Sequence, residues 1–312
     1  MKIEEQALII LNPAAGSAQR RASASQLQTQ LRRVGLPATW IETTPERGAD
    51  SIIRENPGSG PVVIVGGDGT LREAARALKG GERPLLIVPV GTGNVMALRL
   101  EIPLQLESAL RVLGEGDIRR CDVGICGDDS FLLAVGMGID GRLIREAHRR
   151  LKRQMGKLAY LWAAARNMPV RHYDFRICLD GQWVEDSGAS VVVANFGTQV
   201  GPWIFPPDAD GGDGQLDVAV LKAASLTQVL SLLAAPFRLR PREHKGVRLY
   251  RARQVRVECS RAMPLQVDGD DLGDRGSFEC SLEPEALPVL VGRHRPVFQW
   301  HGDWPPPIAD RF

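Results

Sequence analysis

The stretch PVVIVGGDGTLREAARAL, residues 61–78, constrains this chain more than any other. A run of β-branched residues passes through Gly66, Gly67, Asp68 and Gly69 straight into a segment whose apolar residues recur at helical spacing. Each glycine costs roughly 0.5–1 kcal/mol of backbone entropy in a regular element, so three at one joint imply close approach of something to the backbone. The joint is not isolated. Over the first part of the chain, ALIIL, PATWI, PVVIV and PLLIVPV alternate with amphipathic segments at 18–33, at 46–55 and from 70 onward. That alternation predicts an α/β N-terminal domain with a parallel, Rossmann-like sheet covered on both faces.

Beyond Gly114 the pattern changes. Short strand-like runs (FLLAVG, FRICL, SVVVANF, LDVAVL, QVRVEC, MPLQV) are separated by Gly, Asp and Pro clusters, and helical spacing is convincing only at 138–166 and 225–235. A second, mostly antiparallel β domain follows. The expected division is 1–118 for the nucleotide-binding α/β domain and 119–291 for the β-rich domain. The Pro- and Trp-rich tail 292–312 either packs back on the first domain or hangs free. With 312 residues, 44% of them apolar, the chain has material for two cores.

Composition removes several classes. With 39 basic against 37 acidic residues, the net charge of +2 gives no bulk attraction for a polyanion. Aromatic residues make up 5%, and the basic stretches carry no aromatic ladder for stacking bases, so no nucleic acid partner is expected. Five cysteines without a CxxC pair argue against a disulfide framework or zinc ribbon and fit a reducing cytosol. The five histidines show no metal-ligand spacing. MKIEEQ is followed by only five apolar residues and no run reaches the roughly 18 that a membrane span needs, so a cytoplasmic location is expected.

Three joints meet the requirement for anion binding beyond the carboxyl ends of strands. They are NPAAG (Asn12, Pro13, Ala14, Ala15, Gly16), GGDGT (Gly66, Gly67, Asp68, Gly69, Thr70) and GTGN (Gly91, Thr92, Gly93, Asn94). None is a Walker A loop. None completes GxGxxG, because Arg72 and Met96 stand where the last glycines belong. One such joint is often no more than a tight turn; three on successive strands point to phosphate. Asp68 beside a phosphate implies a cation such as Mg²⁺ between them.

Two acidic loops follow. PDADGGDGQLD gathers Asp208, Asp210, Asp213 and Asp217, a density suited to a hard cation or to a solvated turn; it is no EF-hand, since Ala219 stands where the bidentate glutamate belongs. VDGDDLGD puts Asp268 at a strand end before Gly269, by itself a turn signal.

In this order the motifs resemble the diacylglycerol kinase catalytic domain shared by bacterial lipid kinases and sphingosine kinases, a relative of NAD kinases. The resemblance continues through VGMGIDG (135–141), KLAYLWAA (157–164), PDADGGDGQLDV (207–218) and LQVDGD (265–270), and so covers about residues 7–291. It implies an NAD kinase/diacylglycerol kinase-like fold with a β-sandwich second domain. The implied reaction is ATP-dependent phosphoryl transfer to the hydroxyl of diacylglycerol or a related lipid, in phospholipid biosynthesis.

It further implies nucleotide contacts at Asn12, Pro13 and Gly16, at Thr44, from Gly66 through Leu71 and Arg72, and at Thr92; Ala14, Ala15, Gly91 and Asn94 belong to the same joints. A structural Mg²⁺ is implied at the Asp213 side chain and the main-chain carbonyls of Asp210 and Gln215, with Asp217 as an outer partner. Asp268 would take the proton of the attacking hydroxyl across a cleft, and Asp68 would help hold the catalytic Mg²⁺. Two departures stand out: Val95 replaces a common carboxylate after GTGN, and Arg72 replaces a common asparagine.

The basic segments 142–157 and 236–256 would bring such an enzyme transiently to an anionic membrane face, at about 1 kcal/mol per basic residue. Segment 225–235 either lies against acyl chains or covers the β domain. The rival readings are an NAD kinase-like small-molecule kinase and a non-catalytic nucleotide or lipid sensor. Which lipid, which nucleotide, and whether the chain forms a homodimer stay open.

Overall fold

The computed structural model describes residues 6–15, 29, 37–91, 93–142, 144–145, 171–200, 203–206, 209–222 and 246–292. They fall into two compact units. One contains the chain up to Val123 and again from Pro284 onward; the other runs from Gly124 to Glu283. The chain thus returns to its first unit while still in a strand, ahead of the tail at which the sequence suggested a return. The tail beyond Gly292 lies outside the described residues, as do most of the basic segment 142–157 and the apolar segment 225–235.

In the first unit, β1 (Ala7–Leu11), β2 (Ala38–Glu42), β3 (Val62–Gly66) and β4 (Leu85–Pro89) form a parallel sheet in the order β4-β3-β1-β2. The uninterrupted apolar runs have their cause in burial: every residue of β3 and β4 is buried, whereas the outer strand β2 is only partly so. Two helices lead away from these strands, α1 (Ala49–Glu55) and α2 (Asp68–Leu78). In α2 the buried residues Leu71, Ala74, Ala75 and Leu78 recur at three- and four-residue steps, which leaves Arg72 and Arg76 on the other side. Beyond β4 come the short α3 (Val95–Arg99) and α4 (Leu106–Glu115). Val112 and Leu113 of α4 pack with Ile9, Val63, Val65, Leu86 and Val88 on one sheet face.

The second unit is antiparallel. It is entered through β5 (Asp117–Cys126), followed by β6 (Asp129–Phe131), β7 (Ala134–Gly138), the hairpin β8 (Tyr173–Leu179) and β9 (Gln182–Gly188), then β10 (Ser190–Ala194), β11 (Thr198–Val200) and β12 (Trp203–Phe205). It ends with β13 (Leu216–Leu221), β14 (Val247–Ala252), β15 (Gln254–Val267) and β16 (Asp270–Val291). The hydrogen-bonded order β14-β13-β10-β7-β15 is antiparallel at every step. QVRVEC and MPLQV, read from sequence as two strands, form the single strand β15, with the register against β16 shifting between Glu258 and Met263. The last residues of β16 lie in the first unit, where Val289 pairs in parallel with Leu85. Among the described residues no helix is long and apolar enough to cross a membrane.

Candidate active site

In the first unit the carboxyl ends of β1, β3 and β4 carry the three sequence joints, and side chains fasten them together. Asn12 follows β1; its amide Nδ2 donates to Thr70 Oγ1 at 2.7 Å and its Oδ1 accepts from Ala14 N at 2.8 Å. One residue thereby shapes the turn holding Pro13, Ala14 and Ala15 and ties it to the first turn of α2. Gly67 caps α2, accepting from Leu71 N, while Val90 N reaches Gly66 O at 3.1 Å. Leu71 is 2% exposed, so its side chain belongs to the core and only its backbone can serve a ligand.

Asp68 links two joints. Its Oδ2 accepts from Val95 N and its Oδ1 from Met96 N, both at 3.1 Å, so the carboxylate of GGDGT serves the free amides that open α3. Asn94, in the left-handed region at φ 52°, closes the GTGN turn: its Oδ1 accepts from Gly91 N at 2.9 Å and its Nδ2 donates to Gly91 O at 3.0 Å. A Cβ on Gly91 would lie 2.7 Å from Gly67 Cα, so the second and third joints touch backbone to backbone. Gly69, by contrast, faces open space: a Cβ there meets nothing within 4 Å.

The structure thus brings Asn12, Gly66–Thr70, Gly91 and Asn94 into one network. Thr44 stands apart in a tight turn after β2, where its N donates to Arg47 O and its Oγ1 accepts from Arg47 N. Arg72 is half-buried on α2. Gly16 and Thr92 lie outside the described residues. Sequence reasoning missed Glu73, whose Oε2 accepts from Ala49 N at 2.8 Å and so fixes the start of α1 against α2. The only signal was an acid five residues after Asp68, which many helices carry.

In the second unit Asp268 and Gly269 are the two central residues of the β15–β16 hairpin turn, at φ 48° and 91°, with Val267 opposite Asp270. Asp-Gly with both φ positive is the favoured two-residue hairpin loop. The Asp268 carboxylate reaches back to the segment before β7: Oδ2 accepts from Leu132 N at 2.8 Å, and Oδ1 from Leu133 N at 2.9 Å and Ala134 N at 3.0 Å. Of roughly four lone-pair directions on a carboxylate, three serve backbone amides, which locks its orientation. The same device recurs at the β8–β9 turn. There Asp180, at φ 48° before Gly181, accepts from Gln254 N at 2.8 Å and Arg253 N at 3.0 Å.

Behind the Asp268 turn lies a largely buried polar set that sequence reasoning did not assign, although Asp140 lies in VGMGIDG and Gln266 in LQVDGD. Gln266 Oε1 accepts from Gly269 N at 2.8 Å, and its Nε2 donates to Asp140 Oδ2 at 3.3 Å; Asp140 Oδ1 also accepts from the Ser190 hydroxyl. Burial pushes the Asp140 carboxyl up, against the pull of these hydrogen bonds. Gly136 is glycine because a Cβ there would overlap Asp140 Oδ2.

The acidic loop takes a form the metal expectation did not anticipate. Asp213 Oδ1 accepts from Gln215 N at 3.0 Å, and its Oδ2 is paired with the Arg251 guanidinium, whose Nε donates to Asp217 Oδ1 at 3.0 Å. The Asp210 carbonyl accepts from Gly212 N at 2.7 Å and Asp213 N at 3.2 Å. Asp208 lies outside the described residues. Among the described residues of the basic segment 236–256 three cations face carboxylates: Arg251 as described, Arg248, 3.5 Å from Asp186, and Arg256, 3.0 Å from Glu258. In the other basic segment, Arg145 pairs with Asp271 at 2.6 Å and Asp274 at 2.7 Å.

Comparison with known proteins finds two successive family domains. The model of the diacylglycerol kinase catalytic domain matches residues 6–126, and that of the YegS C-terminal NAD kinase beta sandwich-like domain matches residues 133–291. A protein named diacylglycerol kinase from Mycobacterium tuberculosis is 31% identical over 253 residues, 76% of this chain and 78% of the relative. One from Bacillus subtilis, of the same name, is 27% identical over 276 residues, 85% and 90% of the two chains. The crystal structure of a diacylglycerol kinase from Bacillus anthracis strain Sterne superposes with a TM-score of 0.77 at 22% identity, covering 93% of this chain and 98% of that one, which shows a shared fold. With two successive family domains matched and the M. tuberculosis relative similar over three quarters of its length, this chain belongs to the diacylglycerol kinase and YegS-like lipid kinase family.

Proposed function

We propose that this protein transfers the γ-phosphoryl group of ATP to the hydroxyl of a membrane-derived lipid, diacylglycerol or a close analogue. The observation that carries the reading is the fastened set of joints at the ends of β1, β3 and β4. Three loops held by Asn12, Asp68 and Asn94 keep backbone amides in place before a ligand arrives. Phosphoryl transfer is mostly positioning and charge neutralisation, so a preformed anion cradle is the part a kinase most needs.

In this scheme the amides that open α2, around Gly67–Thr70, receive the nucleotide's phosphates, with open space at Gly69 for their approach. Mg²⁺ arriving with ATP offsets the charge of the transferring group. Asp68 would help hold it: each of its oxygens accepts one amide, and a carboxylate oxygen has a second lone pair for a cation or its water. Asp268 accepts the proton of the attacking hydroxyl, its carboxylate held in one orientation by Leu132, Leu133 and Ala134. Gln266 and Asp140 hold the turn that carries it. Contact with the lipid surface is transient and supplied by exposed basic residues. The names of the two diacylglycerol kinases above support the substrate class.

The test is incubation with γ-labelled ATP, Mg²⁺ and a panel of diacylglycerol, phosphatidylglycerol, sphingoid base, long-chain alcohol and NAD. Label is expected in a phospholipid product that partitions into organic solvent. Label in NADP and in no lipid would refute the reading.

A further inference from the structure

The fold family implies a divalent cation in the 210–217 turn, held by the Asp213 carboxylate and the Asp210 and Gln215 carbonyls, and the first two of these three groups are already engaged. The Asp210 carbonyl has two lone pairs and accepts two amide bonds, from Gly212 N and Asp213 N. On Asp213, one carboxylate oxygen accepts from Gln215 N and the other meets Arg251. The expected ligand set does not fit a hard cation, which needs those same lone pairs pointed at one centre.

What occupies the centre instead is placed by the backbone. Arg251 lies directly opposite Asp217 in the antiparallel pairing of β13 with β14. The Asp217 side chain is 1% exposed and that of Arg251 16%, so the pair sits largely out of solvent. A guanidinium is planar, always charged and forked, and here Nε serves Asp217 while the end nitrogen serves Asp213. One cation bridges a strand carboxylate and a turn carboxylate four residues apart in sequence, the geometric task a bound metal would otherwise perform.

We infer that Arg251 is the built-in counter-ion of the Asp210–Asp217 turn, and that this turn keeps its shape with no resident divalent cation. Any need for Mg²⁺ in this chain then belongs to the nucleotide. The inference concerns a different loop from the nucleotide cradle and stands whether or not the acceptor lipid is the one proposed.

The experiment uses the full chain without nucleotide. Elemental analysis after gel filtration in metal-free buffer is expected to find divalent metal far below one equivalent, and the melting temperature is expected to be the same in EDTA and in millimolar MgCl₂. A metal bound only to the folded state would raise melting with concentration, so this comparison is direct. Asp213→Asn is expected to lower melting by the same amount in both buffers. Arg251→Met, which leaves two carboxylates facing each other, is expected to melt low in EDTA and to be partly rescued by MgCl₂. A stoichiometric metal in the wild-type chain, or a wild-type melting temperature that falls in EDTA and returns with MgCl₂, overturns the inference. So does an Asp213→Asn defect that appears only when MgCl₂ is present. These wild-type and Asp213→Asn results decide the matter even if Arg251→Met does not fold.

Discussion

Asp268 is the proposed base and is also a turn residue that anchors its hairpin, and Asp268→Asn separates the two roles when paired with a control from the same unit. Asparagine tolerates the left-handed backbone, so the turn itself survives. Its carbonyl can keep the bonds from Leu133 and Ala134, but its NH₂ then faces Leu132 N, so one charge-assisted bond is lost. That loss is worth about 1.5–3 kcal/mol. For stability in the usual range of about 5–15 kcal/mol, the worst case leaves about 2 kcal/mol, or a roughly thirtyfold excess of folded protein. Unfolding therefore removes at most a few per cent of activity at 25 °C. Loss of a general base removes about 10²–10⁴ in rate. Asp180→Asn makes the same change in the β8–β9 turn, where the carboxylate likewise serves backbone amides. Both variants are expected to melt about 3–12 °C low, while only Asp268→Asn loses lipid phosphorylation. If Asp268→Asn retains more than half the wild-type rate, the carboxylate is a hairpin anchor and the base lies elsewhere.

Glycine contacts give a second set of expectations. Gly69→Ala adds a methyl in open space at a helical position, so it should stabilise the free protein by about 0.5–1 kcal/mol yet weaken nucleotide binding measured by fluorescence titration; unchanged affinity would mean phosphate does not approach there. Gly91→Ala drives a methyl into Gly67 and should cost on the order of 10² in rate through displaced loops, with little change in far-UV circular dichroism. Two buried carboxyls should show opposite pH dependence in urea unfolding. Asp140 is raised by burial, so its contribution is full in acid and is lost as pH rises through the raised folded value; Asp140→Asn should therefore gain on wild type as pH rises above about 4. At Asp186 burial alone would raise the carboxyl, but Lys222 and Tyr250 bring it below the usual range, so its contribution is present above about pH 4 and is lost as pH falls further, a loss that Lys222→Met should flatten.

How far the sequence could be read depended on whether a feature is local. Continuous apolar runs ending in glycine joints gave β1, β3 and β4 and the start of α2, because a parallel strand buried on both faces leaves an unbroken apolar run. Contacts between distant residues left less trace. Arg251 opposite Asp217 follows from the β13–β14 register, which no composition records, and from sequence Arg251 was one of eight cations in a basic segment. Asp140, Ser190 and Gln266 meet from three strand ends, Asp140 and Ser190 50 residues apart and Gln266 126 from Asp140, so only the fold makes them a unit.

Asp68 and Asp268 carry the same lesson into the site. Asp68 was read through its neighbours in sequence as a metal carboxylate in a glycine loop, and Asp268 as a turn residue before glycine that the family resemblance made a base. In the fold each carboxylate also accepts amides from a segment remote in sequence: Val95 and Met96 for one, Leu132 to Ala134 for the other. Those bonds fix each carboxylate before a ligand arrives. A carboxylate that must meet a metal-bound water or a hydroxyl in one orientation gains from being fixed beforehand, because the cost of orienting it is then met during folding rather than during reaction. On this argument the short side chain matters as much as the charge. Glutamate at position 68 would overshoot Val95 and Met96 and lose the anchor, so Asp68→Glu should keep the charge and still lose most of the rate.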